Sequence, residues 1–115
     1  MELKEQSVEV KEFKFSFVDP RTGQEVSRTS LVVGRNDLHN EPWGLIEDVF
    51  TEQAYEGMGL ATKLVRIAEE KAKKLGCYKL ILTSRFKKPK IHAWYKRLGF
   101  VKWGYEFRKD LKKGE

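Results

Sequence analysis

The apolar positions of this chain change period at one point. Leu45, Ile46, Val49 and Phe50 form a short run of β-branched and aromatic residues, the signature of a buried strand. From Gly59 onward, Leu60, Leu64, Ile67, Ala68, Ala72 and Leu75 recur at helical spacing, which predicts an amphipathic helix with these residues on its buried face. The opposite face carries Lys63, Arg66, Glu69, Glu70, Lys73 and Lys74. Glu69 with Lys73 and Glu70 with Lys74 have the favourable i to i+4 order, and Gly76 suits a left-handed stop.

On either side the pattern is simpler. Val8, Val10, Phe13, Phe15 and Phe17 alternate with one slip, which predicts a half-buried strand with a bulge. Turn residues from Asp19 to Gly23 and a second apolar stretch from Glu25 to Gly34 complete an antiparallel hairpin. After a polar loop from Asn36 to Pro42, Trp43 opens the central strand. Beyond the helix, Lys79 to Thr83 reads as another strand, so strand, helix and strand imply a right-handed parallel crossover. A basic loop from Ser84 to Lys90 leads into a second helix near Pro89, with Ile91, Trp94, Tyr95 and Leu98 on one face and Gly99 at its end. Phe100 to Phe107 is expected as a last strand, followed by a charged tail from Lys109 to Glu115.

At the change of period stands Gly57-Met58-Gly59-Leu60-Ala61-Thr62. Small residues there let another molecule approach the backbone, and the first N–H groups of a helix lack internal partners and sit at its positive end, so an anion such as phosphate can satisfy them. A tight strand-to-helix turn needs the same glycines, and Gly-x-Gly by itself does not choose between the two.

Composition narrows the class. The 115 residues predict one domain spanning 1–115. Lys and Arg total 23 against 17 Asp and Glu, a net charge of +6 that suits polyanions or a phosphorylated cofactor. The single cysteine, Cys77, fits a reducing compartment, and the lack of a long apolar run predicts a soluble cytoplasmic protein with no membrane partner. His39 and His92 lie outside any metal-ligand spacing, so no metal is expected. Trp43, Trp94 and Trp103 are expected to pack in the core or at sheet edges.

Two stretches together resemble the GNAT superfamily of acyl-CoA-dependent N-acyltransferases. Ile46 to Leu64 is similar to that family's motif A, an Arg/Gln-x-x-Gly-x-Gly/Ala loop after the central strand, with Glu56, Gly59 and Ala61 at the matching positions. Ile91 to Phe100 is similar to motif B, a helix with a tyrosine shortly before Leu-Gly-Phe. The resemblance covers roughly Leu31 to Leu111. It implies an α/β (α+β) fold with a mixed, largely antiparallel sheet, splayed central strands and flanking helices, shortened at the N-terminus.

It also implies roles. Acetyl-CoA would be the cosubstrate, its pantetheine arm beside Val49, Phe50 and Thr51 and its pyrophosphate on the N–H groups of Gly57, Met58, Gly59, Leu60, Ala61 and Thr62, with Glu56 beside it, repelling unless it turns away or pairs with Lys63, and Lys88 of the basic loop near the nucleotide. Tyr95 would protonate the departing thiolate, and Glu47 or Asp48 would take a proton from an acceptor amine. Strand alternation sends those two carboxylates to opposite faces unless a bulge intervenes. Glu56 stands where the family has Arg or Gln, Lys88 where many members have Asn, and few residues precede Phe13. The acceptor side is therefore expected to be open, closed by a second copy in a homodimer, or shaped for a protein. The expected activity is N-acetyl transfer to a primary amine by direct attack in a ternary complex. The alternative is a non-catalytic basic domain binding nucleic acid or protein, with nucleic acid disfavoured beside the two motifs.

Overall fold

A computed structural model describes residues 1–37 and 40–112. His39 and the end of the charged tail lie outside the described residues. Its strands are β1 (Lys11–Val18), β2 (Glu25–Gly34), β3 (Trp43–Thr51) and β4 (Lys79–Ile81), and its helices are α1 (Leu60–Lys74) and α2 (Pro89–Arg97). A short 3-10 turn, Gln53–Tyr55, follows β3. The fold is α/β, with a mixed and mostly antiparallel sheet as expected. By contacts the chain divides after Leu82.

In the unit up to Leu82, the strands lie in the order β1-β2-β3-β4. The first two pairings are antiparallel and β3–β4 is parallel. Phe13, Phe15 and Phe17 alternate half-buried along β1, as the period-2 pattern predicts. Val8 and Val10 precede the strand and are exposed, and the register shift falls between Phe17 and Val18, not between Val10 and Phe13. The turn closes with Asp19 N–H donating to the Gln24 carbonyl at 2.9 Å and Gly23 N–H to the Asp19 carbonyl at 2.8 Å. Central in the sheet, β2 is covered on both faces, and its buried hydroxyls Ser27 and Thr29 are satisfied by bonds to β3.

Helix α1 packs on β1, β2 and β3. Leu64, Val65, Ala68 and Ala72 fill the interface with Leu31, Ile46 and Val26 from the sheet. Each Leu or Val buried this completely contributes about 1.5–3 kcal/mol over its exposed state. The buried face is rotated from the expected one: Ile67 and Leu75 are exposed, and Val65, outside the predicted stripe, is 1% exposed. A stripe broad enough for a helix lying across a sheet admits neighbours on either side, and the sheet's tilt decides which side is covered. Lys73 bridges both Glu69 and Glu70, at 3.3 and 3.4 Å. The strand after α1 stops at Ile81, short of the predicted Thr83.

In the unit from Thr83 onward, Pro89 occupies the first turn of α2, and Gly99 takes a φ of 96° beyond its end. Phe100 to Phe107 does not form the expected strand. Among the described residues no ladder reaches it, and Val101, Trp103, Tyr105 and Phe107 are exposed. Alternation makes a stretch fit for a strand, but hydrogen bonding to a neighbour makes it one. Trp103 is accordingly 96% exposed rather than packed, while Trp94 stacks on Tyr95 at a centroid distance of 5.3 Å.

Candidate functional site

The region around the glycine turn is built by three local events. First, β4 pairs with β3 only over Trp43, Gly44 and Leu45. Among the described residues no strand pairs with that side of β3 from Ile46 to Thr51. The sheet thus opens beside Val49, Phe50 and Thr51, where an extended ligand could add its own backbone-like groups.

Second, β3 carries a bulge. Ser30 pairs with Glu47 and Arg28 with Phe50, so Thr29 of β2 faces both Asp48 and Val49. Asp48 takes a φ of 55°, the left-handed region that a non-glycine residue enters at a cost. Arg28 holds it there: Nε donates to Asp48 Oδ2 at 2.7 Å, and the guanidinium also lies 4.5 Å from the Phe50 ring centre. The hydrogen bond to Asp48 pushes the Arg28 pKa up. The bulge brings Glu47 and Asp48 both to exposed positions instead of sending one inward. Asp48 is therefore an ion-pair partner, and Glu47 is the carboxylate of the two without that engagement.

Third, the chain leaves β3 through the 3-10 turn and reverses into α1 over two left-handed glycines, Gly57 at φ 82° and Gly59 at φ 77°. Gly59 is the N-cap residue and supplies no side-chain cap. Lys63 N–H donates to the Gly59 carbonyl at 3.1 Å, and the N–H groups of Leu60 and Ala61, in the first turn, lie where a helix offers no acceptor of its own. A Cβ placed on Gly57 or Gly59 would meet nothing within 4 Å. Glu56, Gly57, Met58 and Gly59 are all exposed. The turn is thus an open cradle of backbone donors at a helix N-terminus, which fits a diphosphate.

The neighbouring side chain is Tyr55, whose hydroxyl donates to Asp19 Oδ2 at 2.6 Å. The hydrogen bonds of Arg21 and then Tyr55 hold the Asp19 carboxyl well below the usual carboxylate range, and the same bond pushes the Tyr55 phenol up. Neither Asp19, Tyr55 nor Arg28 stands out in the sequence as a site residue. Asp19 reads there as ordinary turn chemistry, and the pairing spans 36 residues.

In the second unit, Tyr95 is half-buried against Trp94 and Phe100, with its hydroxyl 3.5 Å from the Thr83 carbonyl. Burial pushes its phenol up. His92 lies 2.7 Å from the Arg85 carbonyl and so ties the basic loop to α2, and Lys88 forms the N-cap of that helix. Arg85, Lys87, Lys88 and Lys90 are exposed.

Residues 4–100 match the family model described as Acetyltransferase (GNAT) family. The chain is 41% identical over 63 residues to a probable glucosamine 6-phosphate N-acetyltransferase 2 of Oryza sativa subsp. japonica, covering 55% of this chain and 36% of that one. It is 33% identical over 96 residues to the glucosamine 6-phosphate N-acetyltransferase of Trypanosoma brucei brucei, covering 83% and 63%. It thus spans less than two thirds of either relative. A solved Trypanosoma brucei acetyltransferase superposes with a TM-score of 0.81 at 32% identity, covering 87% of this chain and 69% of that one.

Proposed function

The chain belongs to the acetyltransferase (GNAT) family, and on that premise we propose that it transfers an acetyl group from acetyl-CoA to a primary amine by direct attack within a ternary complex. The observation that carries this reading is the glycine turn: two left-handed residues with open space at their Cβ positions lead into α1 after the part of β3 that, among the described residues, β4 leaves unpaired. When bound, acetyl-CoA supplies the acetyl group as a thioester. The N–H groups from Gly57 to Thr62 bind its diphosphate, and Lys63 adds positive charge at the same end. Main-chain groups of Val49 to Thr51 hold the arm, and an N–H there steadies negative charge developing on the acyl oxygen.

Tyr95 is the proton donor of this reading, because it stands at the tyrosine position of the second motif, shortly before Leu98-Gly99-Phe100; its phenol, which burial pushes up, carries its proton at neutral pH as any tyrosine does. Glu47 is the proton acceptor in preference to Asp48, which Arg28 already engages. An amino-sugar phosphate is the first acceptor to try, since two similar proteins carry glucosamine 6-phosphate in their names. The test incubates the full chain with acetyl-CoA and a panel of amines that includes glucosamine 6-phosphate, with free thiol and N-acetylated product both quantified. Product with at least one amine, formed with one thiol released per acetyl transferred, supports the reading. A folded protein that binds acetyl-CoA yet acetylates no amine counts against it.

A further inference from the structure

We infer that Asp19 and Tyr55 form a strut that fixes the glycine turn, so that Tyr55 is a positioning residue for acetyl-CoA. The inference rests on the reading of that turn as the diphosphate cradle. The 3-10 turn that leads into the cradle is weakly held by itself: it has no side-chain N-cap and no buried residue. Two of its backbone bonds are local, Tyr55 N–H to the Glu52 carbonyl and Glu56 N–H to the Gln53 carbonyl, while Glu52 N–H reaches the Val26 carbonyl at 2.8 Å. Beyond Tyr55 come Glu56 and then Gly57 and Gly59, whose missing side chains leave the segment pliant.

The Tyr55 hydroxyl crosses from this segment to a post that cannot move freely. Asp19 has a side chain only 5% exposed. Arg21 N–H donates to its Oδ1 at 2.9 Å and Arg21 Nη2 to its Oδ2 at 3.1 Å, and its own backbone closes the β1–β2 turn. A 2.6 Å bond from a phenol to an ionised carboxylate is of the strong, charge-assisted kind. One residue separates Tyr55 from Gly57, so the bond sets where the cradle's first N–H groups stand. A turn held in place before the ligand arrives loses less freedom on binding, and the benefit appears in affinity.

Tyr55→Phe isolates this role. The ring keeps its packing, and Asp19 keeps Arg21, so no buried charge is stranded. In the ligand-free full chain, exchange of the hydrogen-bonded Tyr55 and Glu56 amides, which hold the 3-10 turn, should quicken by about tenfold while the strands keep their protection. The dissociation constant for acetyl-CoA, by calorimetry, should rise about five- to tenfold. That for acetyl-pantetheine, which has the thioester arm and no diphosphate, should change less than about twofold. The double variant Asp19→Asn/Tyr55→Phe should bind acetyl-CoA no more weakly than Tyr55→Phe, because once the Tyr55 hydroxyl is gone Asp19 no longer reaches the turn, whatever its own bonds to Arg21. If the double variant folds poorly, Tyr55→Phe decides alone. Unchanged exchange with unchanged acetyl-CoA affinity overturns the strut, as does equal weakening toward both ligands, which marks general loosening. A wild-type chain that binds no acetyl-CoA instead overturns the cradle reading itself, and the strut with it.

Discussion

Gly59→Ala separates what the turn does for folding from what it does for binding. At φ 77° and ψ 15° an L-residue pays about 1–2 kcal/mol for the left-handed conformation. The alanine recovers roughly 0.4–1 kcal/mol through the restricted unfolded chain. No steric charge is added, since nothing lies within 4 Å of the new Cβ. The net loss is about 1 kcal/mol, a fall in Tm of about 4 °C for a domain of this size. Binding should suffer more, because the methyl group enters the space in which a diphosphate meets the backbone. Loss of even one hydrogen bond to a charged group costs about 1.5–3 kcal/mol, or roughly 10- to 150-fold in affinity. Gly34→Ala is the opposite case: its Cβ would lie 2.6 Å from Trp43 Cζ2 and 2.9 Å from Val10 Cγ1, so stability should fall by about 1–3 kcal/mol with acetyl-CoA affinity intact. Thermal unfolding and calorimetry on both variants read the two effects. A Gly59→Ala protein that is folded and binds acetyl-CoA as tightly as wild type refutes the reasoning.

Further outcomes follow from the same geometry. Tyr95→Phe should lower kcat about 10- to 100-fold with KM for acetyl-CoA little changed, and in the wild type the alkaline limb assigned to this phenol should lie above about pH 10, since burial raises its pKa; an unchanged kcat removes Tyr95 from the reaction. Leu31→Ala should cost about 2–5 kcal/mol in denaturant unfolding, because Leu31 is fully buried between β2 and α1. Asp19 has a lowered folded pKa, so its contribution to stability is complete above the unfolded value of about 4 and fades as pH falls through and below it. The stability gap between wild type and Asp19→Asn should therefore be widest at neutral pH and close under acid, and a gap independent of pH contradicts the assignment.

The parts of the fold governed by local period were legible in the chain. The bounds of β2 and the start of α1 at Leu60 follow from alternation, turn residues and glycine. What was not legible depended on partners distant in sequence. Val65 rather than Ile67 enters the core because the sheet beneath selects the face. Phe100 to Phe107 has a strand's pattern without a strand's neighbour among the described residues. At the site, the left-handed glycine turn into α1 could be read directly, since its positions lie in one contiguous hexapeptide. The bulge at Asp48 could be foreseen only as a condition, because the Arg28 that holds it belongs to another strand. The Asp19–Tyr55 bond joins a hairpin turn to a segment with no shared pattern, and no local signal announces it.

The most direct test of the backbone cradle is calorimetric titration of the wild-type chain with acetyl-CoA. Saturable binding at one site is expected, with a dissociation constant at or below about 0.1 mM, equivalent to roughly −5.5 kcal/mol. A folded protein that gives no binding heat at millimolar acetyl-CoA, at two temperatures so that a zero enthalpy cannot hide the event, would contradict it.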